Sequence, residues 1–127
     1  MMPPTVALCL AAAAGAAGTL LRAGANAAAL RLFGPGFPWG TLAVNVAGSF
    51  AFGAIYALSR CRGGCSPAHE TIFLVGLLGG FTTYSSFAFQ SVEMLQEGRF
   101  LSAVAYIVGT NVAAIAATWA GLRLFGG

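Results

Sequence analysis

Four apolar stretches of about 20 or more residues, parted only by short links, constrain this chain more than any other feature. They cover residues 4–32, 39–58, 71–95 and 100–125. As a helix, each is long enough to cross the roughly 30 Å hydrocarbon core of a bilayer. Of 127 residues, 58% are hydrophobic and 7% charged, where soluble domains carry about 25% charged residues. Folded in water, so short a chain would lack a polar surface. In lipid, apolar side chains face outward without penalty. The expected fold is an all-α membrane protein of four transmembrane helices. Residues 1–127 form one domain, because no link is long enough to mark a boundary.

The remaining residue types exclude several function classes. Six Arg and three Glu supply every charge, for a net charge of +3. The Arg residues are scattered, with no basic run interleaved with aromatics, so nucleic acid is not expected as a partner. Cys9, Cys61 and Cys65 are odd in number and do not form a disulfide framework. Cys61-x-x-x-Cys65-x-x-x-His69 lacks an evident fourth metal ligand and reads as an ordinary loop. The N-terminal apolar run lacks the basic start of a signal peptide and continues past Arg22, so it reads as a retained first span. No Ser/His/Asp set, metal-ligand cluster or phosphate loop points to an enzyme.

The links carry topological information. Residues 33–38 hold two Pro and two Gly, which break a helix. Residues 59–70 form a polar link, and residues 96–99 a tight one. Trp39 suits a membrane–water interface. Arg60, Arg62 and Arg123 fall on one side of the membrane, Arg31 and Arg99 on the other. So small a bias sets orientation weakly and allows an antiparallel dimer of identical chains. Ala43, Ala47, Gly48, Ala113, Ala117 and Gly121 are small enough for close helix approach in lipid. Four thin helices leave little room for a pore within one subunit, which favours dimerisation.

Residues 76–89, Gly-Leu-Leu-Gly-Gly-Phe-Thr-Thr-Tyr-Ser-Ser-Phe-Ala-Phe, are the sharpest motif. Gly79-Gly80 is poor helix material. Thr82, Thr83, Ser85 and Ser86 then set four hydroxyls within five residues. Irregular backbone at membrane depth survives only inside protein or along a cavity. The third helix is therefore expected to be broken mid-membrane. A break exposes carbonyls at the end of one half-helix, suiting a cation, and N–H groups at the start of the next, suiting an anion. Tyr84 and Phe87 share a face of the second half and can turn electropositive ring edges toward an anion. Asn45, mid-span in the second helix, either donates to an ion or binds another helix. Tyr106, Thr110 and Thr118 lie near one face of the fourth helix and can form a polar track. Asn111 adjoins that track without an assigned role. Arg22, a charge within a span, either attracts anions by its field or snorkels to the interface.

These residues resemble the Fluc, or CrcB, family of microbial fluoride channels. The resemblance spans the chain. It rests on Gly15-Ala-Ala-Gly-Thr-Leu-Leu-Arg22, on Trp39-Gly-Thr-Leu-Ala-Val-Asn45 with Gly48, and most on Gly79-Gly-Phe-Thr-Thr-Tyr-Ser-Ser-Phe87. It implies a dual-topology antiparallel homodimer in the inner (plasma) membrane, exporting cytoplasmic fluoride passively. It implies a structural sodium ion held by the backbone carbonyls of Gly79 and Thr82. The fluoride path would follow Asn45, Tyr84, Phe87, Ser86, Tyr106, Thr110, Thr118 and Arg22. The family pattern most often has Phe where this chain has Tyr84. Fluoride is small and strongly hydrated, so a narrow passage must replace its water with dense O–H and N–H donors. A small drug–proton exchanger also has four short helices but needs a membrane carboxylate, which the first helix lacks. A structural subunit of a larger complex would not require the third-helix motif.

Overall fold

The structure, a computed structural model, describes residues 1–61 and 63–127. Among these residues there are helices and links but no strand. Four helical spans are long and apolar enough to cross a membrane: Pro4–Phe33, Trp39–Cys61, Pro67–Gln96 and Phe100–Phe125. The chain is a multi-pass membrane protein. Leu20, Leu32, Leu101, Val112, Ile115 and Leu124 all point outward, a surface that only lipid or another apolar partner solvates well.

Helix α1, Pro4–Phe33, opens with Pro in its first turn, where the missing N–H costs nothing. It stops at Gly34, whose φ of 74° suits glycine and whose N–H bonds the Leu30 carbonyl at 2.9 Å. Pro35 and Pro38 keep the link open until α2, Trp39–Cys61, begins. This helix runs past residue 58, and the next starts at Pro67 rather than residue 71. The link is therefore shorter than its polarity implies. Ser59, expected in the link, is instead a buried helical residue. Its hydroxyl donates to the Tyr56 carbonyl at 2.8 Å and to Glu70 at 3.3 Å. Arg62 lies outside the described residues.

Helix α3, residues 67–81, begins as α-helix over Pro67–Glu70, widens into a π-helix over Thr71–Leu78, and returns to α over Gly79–Phe81. Thr82 (φ −86°, ψ 159°) and Thr83 (φ −151°, ψ 117°) are extended. Helix α4, Tyr84–Gln96, follows them, and α5 is Phe100–Phe125.

Backbone proximity organises the packing. A Cβ on Gly18 would strike the backbone of Leu77 and Phe81, and one on Gly80 would strike the backbone of Gly15. Helices α1 and α3 thus meet along glycine. Gly53 and Gly121 bring α2 and α5 together in the same way, against Thr118 and Phe50. Gly48 packs on Thr82 and Phe81. Gly48 and Gly121 therefore serve contacts within the chain, while Ala43 and Ala47 remain exposed. The larger buried side chains, Phe87, Met94 and Tyr106, gather between α4 and α5 around Ala103. Arg99 donates to the Gly36 carbonyl, tying the link after α4 to the link after α1.

Candidate functional site

Asn45 organises the centre of the molecule. Its Nδ2 donates to the Thr83 carbonyl at 3.0 Å, and its Oδ1 accepts from the Thr83 N–H at 2.8 Å. The amide pairs with extended backbone as a neighbouring strand would. In a continuous helix the Thr83 N–H would bond the Gly79 carbonyl. Its diversion to Asn45 releases that carbonyl. The Thr83 hydroxyl then accepts from the Ser86 N–H at 3.3 Å, capping α4. Of the two roles that sequence left open for Asn45, binding another segment is present here. One amide N–H is left over.

Around this clamp lies a cavity of about 370 Å³. Asn45, Gly79, Thr82, Thr83, Tyr84, Phe87, Thr110 and Thr118 reach its wall, and so does Asn111. Among the described residues no acidic one lines it. Thr110 is only 5% exposed, yet its hydroxyl has no hydrogen-bond partner among the described residues. Buried hydroxyls are rarely left so, because desolvation without a partner is costly. Three other hydroxyls of the wall are engaged. Thr82 Oγ1 donates to the Leu78 carbonyl at 2.9 Å, and Thr83 Oγ1 to Ser86 Oγ at 3.1 Å. Thr118 Oγ1 lies 3.2 Å from the Ser49 carbonyl and 3.0 Å from that of Ala114.

The rings form a chain leading away from the cavity. The centroids of Tyr84 and Phe87 are 5.6 Å apart, and those of Phe87 and Tyr106 are 5.0 Å apart. Tyr106 meets Phe37 edge-on at 5.4 Å, and Phe37 meets Trp39 at 4.6 Å. Phe37 and Trp39 line a second cavity of about 430 Å³, together with Thr41, Gln90, Glu93, Glu97 and Arg99. Buried Tyr106 packs on Phe87 of the first lining and on Phe37 of the second, its hydroxyl donating to Gln90 Oε1 at 2.8 Å. Gln90 carries no signal in the sequence and Thr41 stands only within the Trp39–Asn45 motif without a role of its own, since a single Gln or Thr in a span is unremarkable until its partner is known.

The remaining sequence candidates fall at the margins. Ser86 sits in the α4 cap rather than in the cavity wall. Arg22 Nη1 lies 3.4 Å from the Thr82 carbonyl, directed at the extended segment rather than at the interface. Cys61 donates to the Gly126 carbonyl at 3.0 Å, and His69 pairs with Ser66 at 2.8 Å. Among the described residues no group of three or more His, Cys, Asp or Glu could hold a metal.

Residues 9–122 match the family model described as CrcB-like protein, Camphor Resistance (CrcB). The chain belongs to the CrcB family. Its curated relatives cover nearly its whole length. A protein named fluoride-specific ion channel FluC from Agrobacterium fabrum is 41% identical over 117 residues, spanning 92% of this chain and 94% of the relative. One of the same name from Paracoccus denitrificans is 44% identical over 110 residues, covering 87% of this chain and 86% of its own. A third, from Rhizobium meliloti, is 40% identical, with coverages of 91% and 92%.

Proposed function

We propose that this CrcB-family chain is a fluoride-selective ion channel of the inner (plasma) membrane, passively exporting cytoplasmic fluoride and so relieving its toxicity. The observation that carries the reading is the Thr110 hydroxyl, buried and unpartnered among the described residues, on a side chain that lines a cavity where no described acid stands. An anion stripped of water supplies the acceptor that this hydroxyl lacks. The cavity adds the spare N–H of Asn45 and the rings of Tyr84 and Phe87. The first turn of α4 brings backbone N–H groups that have no helical partner. The names of the relatives point to the same ion. The function is transport, with no catalytic residue. Hydrogen fluoride enters a cell neutral and dissociates, and the negative interior potential then drives the anion out through a passive path.

The finer assignments belong to the same proposal. The interruption of the third helix lies at mid-membrane, a reading supported by the position of Thr82 and Thr83 at the middle of the span Pro67–Gln96. The fluoride path follows Asn45, Tyr84, Phe87, Tyr106, Thr110 and Thr118, with Ser86 supporting the cap and Arg22 adding positive potential. Two antiparallel copies form the working unit. Tyr84 is 76% exposed on a single chain, and a phenol facing hydrocarbon at that depth gains from a protein partner. The Gly79 and Thr82 carbonyls fit a hard cation such as sodium. The first has lost its helical partner. The second keeps a lone pair beside its 3.4 Å contact with Arg22. A bound sodium ion would be coordinated by the lone pairs of these oxygens and would join the two copies at their breaks.

Fluoride efflux from liposomes holding the purified protein, read with a fluoride electrode beside a chloride control, tests the reading. Rapid fluoride release with negligible chloride release is the expected result. Equal release of both ions, or of neither, overturns it.

A further inference from the structure

We infer that Asn111 is an anion-contacting residue of the first cavity, donating an amide N–H to fluoride from the α5 side; this rests on the channel reading above. Asn111 lies mid-span on α5 and is exposed, flanked by the exposed apolar residues Val108, Val112 and Ile115. A primary amide is expensive to leave in hydrocarbon. Here it lines the cavity that also holds Asn45, Thr83, Tyr84 and Thr110. Its Nδ2 donates to the Ile107 carbonyl at 2.7 Å. That bond orients the amide and consumes one N–H, leaving the second free to donate.

Counting the donors around the cavity gives Asn111 its weight. The hydroxyls of Thr82, Thr83 and Thr118 each have an acceptor within the protein. On the α5 wall that leaves the orphaned Thr110 hydroxyl and, at the next residue, the spare Asn111 N–H. Opposite them stand the spare Asn45 N–H and the start of α4. A fluoride ion in this space must exchange several water hydrogen bonds for protein ones. Without Asn111 the α5 side offers one donor in place of two.

The test is fluoride efflux from liposomes with the full chain and three variants, alongside the oligomeric state in detergent at matched dilution. Asn111→Leu should slow efflux at least tenfold while the oligomer is retained. Asn111→Asp should slow it further, because a carboxylate repels the anion, whereas Asn111→Gln should recover part of the rate by restoring an N–H. Wild-type rates in both Asn111→Leu and Asn111→Asp overturn the assignment. So does a loss of rate that tracks loss of the oligomer, which makes Asn111 a subunit contact. If the wild-type chain itself releases no fluoride, the channel reading fails first and takes this one with it.

Discussion

At the scale of the residue, one side chain can serve stability and another function, and two substitutions separate them. Asn45 makes both of its hydrogen bonds to the backbone of Thr83. Asn45→Ala leaves two buried backbone groups unpaired, at about 1–3 kcal/mol each by the general cost of such groups. Its unfolding midpoint in detergent should fall, and fluoride flux should fall with it. Thr110 is the opposite case. Its hydroxyl bonds nothing among the described residues, so Thr110→Val should leave thermal stability unchanged or raised while flux drops at least tenfold. A Thr110→Val variant that loses stability yet conducts normally would contradict the role given to this hydroxyl. Phe87, buried against Tyr84 and Tyr106, gives a third case. Phe87→Ile keeps an apolar side chain but removes the ring edge, and flux should vanish from protein that still assembles.

At the scale of the element, the helices differ in what determines them. Helices α1, α2 and α5 follow from apolar length, with ends near their Gly and Pro punctuation. The third span is different because its course depends on neighbours. Gly79-Gly80 weakens the helix locally, but the two extended residues come after it, at Thr82 and Thr83, where Asn45 supplies the replacement partners. Gly80 instead serves approach, since it lies against the backbone of Gly15, as Gly18 does against that of Leu77 and Phe81. Gly80→Ala must push α1 from α3. Overpacking of this kind costs about 1–3 kcal/mol, so yield and thermal stability should both decline. A Gly80→Ala protein as stable as the wild type would mean that the two helices separate freely.

At the scale of the whole molecule, the near balance of Arg between the two sides predicts insertion in both directions. A reporter fused to the C-terminus, active only in the cytoplasm, should give an intermediate signal. Two Lys added to the link at residues 96–99 should shift nearly all chains to one orientation, by the positive-inside rule, and flux should collapse for want of antiparallel partners. Full reporter activity from the unmodified chain would exclude dual topology.

Composition and spacing alone determined that this chain crosses a membrane four times, because hydrocarbon tolerates few charges and demands about 20 apolar residues per helix. The density of Gly, Thr and Ser in residues 76–89 likewise marked the segment that could not be a plain span. Sequence left Asn45 between two roles and gave Ser59, Gln90, Thr41 and Asn111 no role. Two of these find their partner elsewhere along the chain, Thr83 for Asn45 and Tyr106 for Gln90, and Asn111 gains its place through the cavity it shares. Only the tertiary structure decided which hydroxyls are spent on the protein and that Thr110, though buried, is left without a partner among the described residues. A hydrogen bond is a property of two groups at a distance, and periodicity along one chain records just one of them.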